Sequence, residues 1–183
     1  MLEQAIGFIE TDSIAGGIVA ADACVKRAAV ELLEARPICP GKFMVLIRGD
    51  MSQVRNALQA GTEIAGNALV DQLFLPRVHP GIFEALAMTS MPVAGEALGV
   101  IETVTAATCI VAADAAAKRA NVNLLEIRLA DGLGGKSYVI MEGTVADVEA
   151  AVGAGVEKAV EAGLLVRHEV ITRLHPAVRE RVV

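Results

Sequence analysis

Cysteine and histidine are the residues of this chain best suited to metal binding or nucleophilic chemistry, and it has three of each. Cys39 stands in Cys-Pro-Gly-Lys, a run typical of a loop, whereas Cys24 and Cys109 lie among Ala and Val. An odd number of cysteines argues against a closed disulfide framework. By residue type alone, a single loop cysteine is most often a small side chain with no metal role.

The histidines do not form a recognisable metal site. His79 and His175 are each followed by Pro, far apart in the chain, and neither has Cys or a carboxylate at the spacing of a metal ligand. We therefore expect them at helix starts or in edge packing, and we assign no role to His168. The chain also has no nucleophile–base pair, phosphate loop or set of acids at useful spacing, which predicts a protein that is not an enzyme.

Composition points to a protein with extensive subunit interfaces. Of 183 residues, 54% are hydrophobic and only 3% aromatic. The longest apolar stretch, residues 85–113, is interrupted by Pro92 and by two glutamates, which argues against a membrane span. The net charge of −6 and the absence of a basic stripe argue against nucleic acid as a partner. No basic segment leads into an apolar one at the start, so we expect a cytoplasmic protein.

An internal repeat defines the architecture. Residues 5–11 (AIGFIET) recur as residues 97–103 (ALGVIET), and residues 21–28 (ADACVKRA) as 113–120 (ADAAAKRA). Further along, Arg77, His79 and Pro80 recur as Arg173, His175 and Pro176. The order is the same throughout, so the chain contains two copies of one unit.

Each copy has the pattern of a small α+β domain. In the first copy the spacing predicts strands at 4–10, 30–36, 43–47 and 69–75 and helices at about 13–28 and 50–67. Ser13 is a plausible N-cap for the first helix, and Asp50 with Gln53 resembles a capping box for the second. The order β-α-β-β-α-β predicts two tandem ferredoxin-like domains, 1–91 and 92–183, with a linker at 88–96.

The repeated motifs, together with LPRVHP in the first copy and ITRLHP in the second, resemble the shell proteins of bacterial microcompartments. Two units in one chain resemble the tandem-domain (BMC-T), trimer-forming class, and the loop PICPGKF resembles its propanediol-utilisation T type. The resemblance implies that three chains form a pseudohexameric disc in the microcompartment shell, in the bacterial cytoplasm. It also implies other shell proteins as partners, and encapsulated redox enzymes as possible ones.

The resemblance further implies which cations lie at the edge of the disc. Lys26 and Lys118 take the position of the family's edge lysine, and Arg77 and Arg173 that of the arginine contacting it from a neighbouring disc. By residue type alone, all four would be ordinary solvated charges.

In this family the loop between the second and third strands lines a central pore. The corresponding residues are Ile38, Cys39, Pro40, Gly41 and Lys42 in the first copy, and Leu133, Gly134, Gly135 and Lys136 in the second. Cys39 stands where the family usually has glycine, so a trimer would bring three thiols together. Three thiolates suit a soft metal, and the resemblance implies one [4Fe–4S] cluster per trimer, with Lys42 helping to offset its negative charge.

Two other functions remain open at this stage. One is a shell tile with a metal-free, gated pore for small metabolites. The other is a trimeric regulatory protein that binds a small molecule between its ferredoxin-like domains. If a cluster is present, it either carries electrons across the shell or is itself transported. Cys24 and Cys109 are expected to be buried structural thiols.

Overall fold

The computed structural model of the chain describes residues 4–182, which form two compact units, one ending at Val78 and one beginning at His79. The first unit contains β1 (Gln4–Thr11), α1 (Ile14–Arg27), β2 (Glu31–Ile38), β3 (Lys42–Asp50), α2 (Met51–Ala65) and β4 (Leu69–Leu75). Its strands form an antiparallel sheet in the order β2-β3-β1-β4.

The second unit repeats this arrangement and has an added helix at each end. It contains α3 (Gly81–Leu86), β5 (Ala97–Thr103), α4 (Ala106–Arg119), β6 (Asn123–Leu129), β7 (Ser137–Gly143), α5 (Val145–Glu161), β8 (Leu165–Thr172) and α6 (Pro176–Val182). The sheet order β6-β7-β5-β8 matches that of the first unit. The predicted βαββαβ fold is therefore confirmed in both copies.

In each unit the two long helices pack on the sheet and against each other at a glycine. A Cβ atom on Gly61 of α2 would lie 2.4 Å from the Cys24 Sγ atom of α1. A Cβ atom on Gly155 of α5 would lie 2.7 Å from the carbonyl oxygen of Ala112 in α4. Both distances are too short for any side chain, so glycine sets how closely each helix pair approaches.

The helix starts agree with the sequence, except at α2. The side chains of Ser13 and Thr105 accept backbone N–H groups at the starts of α1 and α4. Asp50 makes no such bond, and the Gln53 Oε1 atom instead accepts the backbone N–H of Ala29 at 3.2 Å. The predicted capping box is therefore wrong, because Gln53 binds the turn between α1 and β2.

The second compact unit begins before α3, at His79, whereas the division predicted from the sequence follows residue 91. Helix α3 packs on α4 and β6, and this buries the apolar residues Ile82 and Ala85. The segment that follows β4 thus belongs to the second unit. Within residues 4–182, no helix is both long and apolar enough to cross a membrane.

Candidate functional site

The first predicted pore loop presents its cysteine at an accessible turn. Ile38 is buried at the end of β2, Cys39 is half-buried, and Pro40 and Gly41 are exposed. Gly41 has φ of +80°, a conformation that favours glycine, and a Cβ atom there would meet nothing within 4 Å. The turn therefore has open space at Gly41, two residues after the partly accessible Cys39.

The second predicted pore loop is built from glycines. Gly134 and Gly135 have φ of +63° and +94°, and the backbone N–H of Lys136 donates to the Leu133 carbonyl oxygen at 3.2 Å. Leu133 is half-buried, and this loop has no thiol. The two copies thus share a turn between the same two strands but differ in its chemistry.

The lysine that ends each loop is paired with a glutamate at the end of the first strand. The Lys42 Nζ atom lies 2.5 Å from the Glu10 Oε1 atom, and the Lys136 Nζ atom lies 3.3 Å from the Glu102 Oε2 atom. Glu10 is buried, so its carboxylate needs a partner. The positive charge of Lys42 is therefore already balanced, which weakens the prediction that it offsets the charge of a cluster.

The three cysteines fall into two kinds. Cys24 and Cys109 are buried in α1 and α4, and this burial raises the pKa of their thiols to about 11 and about 12. Both thiols are buried, as predicted, and the raised pKa disfavours their reactive thiolate form. Cys39 is free and partly accessible.

A metal at Cys39 needs more ligands than the described part of one chain brings together. Among residues 4–182, no three His, Cys, Asp or Glu side chains lie together in a way that could hold a metal ion. A site that uses Cys39 therefore requires thiols from further copies or ligands that are not protein.

The predicted edge lysines are each paired with an aspartate one helical turn earlier. The Lys26 Nζ atom lies 2.6 Å from the Asp22 carboxylate, and the Lys118 Nζ atom lies 2.5 Å from that of Asp114. Lys26 and Asp22 are exposed, whereas Asp114 is buried. The same (i, i+4) pair thus occurs in both copies, with its acid in different surroundings.

The predicted edge arginines share an unusual backbone conformation. Arg77 and Arg173 are exposed and have φ of +52° and +53°. A non-glycine residue in this region is strained by about 1 kcal/mol or more. The same strain at equivalent positions shows that both copies make the same turn after their last strand.

His79 and His175 lie just before the helices α3 and α6. The His79 Nδ1 atom accepts the Gly81 N–H, and the His175 Nδ1 atom accepts the Ala177 N–H, both at 3.2 Å. His168 lies in β8, where no role was assigned.

A buried carboxylate that sequence reasoning missed lies in the second unit. Glu142 accepts the backbone N–H groups of Val93 at 2.5 Å and Gly95 at 3.0 Å, and the Asn123 side chain at 3.3 Å, and it pairs with Arg179. It thereby joins the segment before β5 to α6. The available signal was a charged residue in the apolar strand SYVIMEG.

The surroundings of Glu142 favour its charged form. Burial by itself would raise the pKa of this carboxyl, but the hydrogen bonds from Val93, Gly95, Arg179 and Asn123 outweigh burial and lower it. The carboxylate also lines a surface cleft of about 500 Å³.

Comparisons with known proteins agree on one family. The BMC domain matches residues 5–78 and again residues 97–174. The bacterial microcompartment shell protein PduT of Citrobacter freundii is 43% identical over 100% of this chain and 99% of its own length. The shell protein PduA from the same organism is 40% identical over 47% of this chain and 95% of its own length, as expected when one unit is matched.

A solved structure supports the same assignment. The crystal structure of a microcompartment protein from Desulfitobacterium hafniense superposes with a TM-score of 0.93, at 47% identity, over 97% of this chain and 98% of that one. These findings favour a shell component over the regulatory protein considered above. The chain belongs to the BMC-domain family of bacterial microcompartment shell proteins, and within it to the tandem-domain, PduT-like type.

Proposed function

We propose that three copies of this chain form a pseudohexameric tile of the microcompartment shell, and that its central pore holds one [4Fe–4S] cluster bound by Cys39 of each copy. The observation that carries the proposal is the contrast among the cysteines. In a shell protein of this type, the one partly accessible thiol lies on the loop that resembles the pore loop of the family.

The donor set fits such a cluster when three copies contribute. Thiolates are the usual ligands of iron–sulfur clusters, which commonly have four of them. Three Cys39 thiolates bind three irons and leave the fourth iron to a non-protein ligand. A bound cluster supplies one-electron redox chemistry across the shell, unless the cluster is itself the cargo that passes through.

The chain's own residues hold the loop in position. The pair between Lys42 and the buried Glu10 fixes one end of the loop to β1, and the buried Ile38 fixes the other. The left-handed turn at Gly41 lets the chain reverse direction directly after the thiol. Cys39 is therefore carried on a short, anchored turn.

The edge of the tile joins it to other shell proteins. Lys26 and Lys118 supply exposed cations, and Arg77 and Arg173 extend from the strained turns that follow the last strands. In this proposal the protein is not an enzyme. If the cluster carries electrons, encapsulated redox enzymes are the partners that would exchange them with the pore.

A metal-free, gated pore for small metabolites is the second candidate. It is favoured by the second loop, in which Gly134 and Gly135 carry no side chains that would narrow an opening. A stable cluster would block this route, so the two candidates exclude each other.

Native mass spectrometry of protein purified without oxygen tests the proposal. We expect a trimer that carries the additional mass of one cluster, a Cys39→Ser trimer that lacks this mass, and a Cys24→Ser trimer that keeps it. A wild-type trimer without added mass, even after reconstitution with iron and sulfide, would favour the metal-free pore.

A further inference from the structure

One surface of the first unit is exposed although its counterpart in the second unit is buried. Ile18 of α1 is 55% exposed, whereas the equivalent Ile110 of α4 is 0% exposed. Leu32 of β2 is 40% exposed, whereas the equivalent Leu124 of β6 is 3% exposed. Residue types are identical at both positions, so the difference lies in what covers them.

In the second unit, α3 packs on both α4 and β6. Ile82 of α3 is fully buried, and the backbone N–H of His79, just before this helix, donates to the Asp114 Oδ1 atom at 2.8 Å. The segment 79–86 therefore covers this surface by an apolar contact and one hydrogen bond to a buried carboxylate.

The repeat supplies a second copy of this covering segment, α6, and the surface that it could cover in its own unit is already covered by α3. His175, Val178 and Val182 stand where the first copy has His79, Ile82 and Leu86. Val178 and Val182 of α6 are exposed, and α6 has no buried residue among those described. The ion pair between Arg179 and Glu142 ties α6 to its own unit and leaves both valines available.

We infer that α6 of one copy packs on the α1–β2 surface of a second copy, with the backbone N–H of His175 donating to the Asp22 carboxylate. The template is the contact of α3 with α4 and β6. Asp22 is equivalent to Asp114 and is exposed. Each aspartate pairs with its lysine through Oδ2, and in Asp114 the Oδ1 atom accepts the His79 N–H, so Oδ1 of Asp22 can accept from a second copy. Burial of Ile18, Leu32, Val178 and Val182 supplies the apolar driving force.

This contact deepens the proposed trimer and rests on it. Each chain has one covering segment left over, α6, and one uncovered surface, α1–β2, so the contact is heterologous, and in the proposed trimer three such contacts close the ring. The partner is therefore a second copy of the same chain, and the excess of exposed aliphatic side chains on α1 is explained by it.

Two charge-introducing variants and one matched control test the inference. Ile18→Asp alters the uncovered surface, Val178→Asp alters the covering helix, and Ile64→Asp introduces the same charge on α2, where the isoleucine is 56% exposed. All three side chains are accessible in the single chain, so circular dichroism should show unchanged folding. By analytical ultracentrifugation we expect loss of the trimer in the first two variants and a trimer in the third.

Mixing the two defective variants tests the direction of the contact. Ile18→Asp keeps an intact α6, and Val178→Asp keeps an intact α1–β2 surface, so the mixture should form dimers containing one of each and no larger ring. If both variants form trimers, as the wild type does, the inferred contact is wrong, although the proposed trimer stands. A monomeric wild-type protein would overturn the proposed trimer and this contact together.

Discussion

Removing the buried carboxylate of Glu142 should be among the most destabilising single changes in the second unit. Glu142→Ala leaves Arg179, whose side chain is only 23% exposed, without its partner. It also leaves two backbone N–H groups and the Asn123 amide without an acceptor.

The expected magnitude follows from these contacts. Breaking a buried ion pair by removing one partner costs about 3–5 kcal/mol. Val93 is exposed, so water can replace part of what its N–H loses, which places the expected loss for Glu142→Ala near the lower end, about 3 kcal/mol. Glu142→Gln keeps the shape and one good acceptor, so we expect a loss of about 1–2 kcal/mol at neutral pH.

The pH dependence gives a second, independent signature. The folded-state pKa of Glu142 is lowered from its ordinary value of 4.5, so its stabilising contribution is fully present above that value. The contribution is lost as the pH falls through the lowered folded-state pKa. The difference in unfolding free energy between wild type and Glu142→Gln should therefore shrink as the pH falls below about 4.5.

Urea denaturation followed by circular dichroism at pH 7 and at pH 3 measures both effects. Glu169→Gln is the matched control, because it removes the same charge from an exposed pair with Arg167 and should change stability by less than about 1 kcal/mol. The reasoning is refuted if Glu142→Ala unfolds within about 1 kcal/mol of wild type at pH 7. It is equally refuted if the Glu142→Gln difference is the same at both pH values.

Three further predictions concern the edge, the thiols and the helix packing. Changing both Lys26 and Lys118 to Asp should leave trimers intact but abolish extended arrays in electron microscopy; normal arrays would contradict the edge assignment. In cluster-free native protein at pH 8, a maleimide should label only Cys39, because burial raises the pKa of the other two thiols to about 11 and about 12. Labelling of two or three thiols per chain would contradict this. Gly155→Ala should lower the free energy of unfolding by about 1–3 kcal/mol, because the new Cβ atom meets the α4 backbone. Gly153→Ala on the same helix has open space around it and should not lower the free energy of unfolding, which thermal denaturation of both variants measures.

The repeat made most of the fold predictable. The same order of strands and helices is indicated twice along the chain, so few alternative folds fit the sequence. Ser13 and the paired histidines lie at helix starts, where their side chains accept backbone N–H groups. The sequence-based predictions were wrong where a side chain binds a partner that is distant in the sequence. The Gln53 side chain accepts the backbone N–H of Ala29 instead of capping its own helix, and no residue near Gln53 in the sequence indicates this hydrogen bond.

The candidate site was predictable in part. The accessible thiol of Cys39 and the two buried thiols follow from loop and helix patterns. The ion pair of Lys42 with Glu10 and the burial of Glu142 could not be predicted from the sequence, because both depend on the register between strands. The surfaces used in assembly could not be predicted from the sequence, because the exposure of the aliphatic residues on α1 is known only from the folded chain.

The most direct test of the central claim is the iron and sulfide content of the anaerobically purified trimer, read together with its visible and EPR spectra. The cluster proposal predicts about four irons and four sulfides per trimer, their loss in Cys39→Ser, and their retention in Cys109→Ser. An iron-free wild-type trimer after reconstitution, or a Cys39→Ser trimer that keeps its iron, would contradict it.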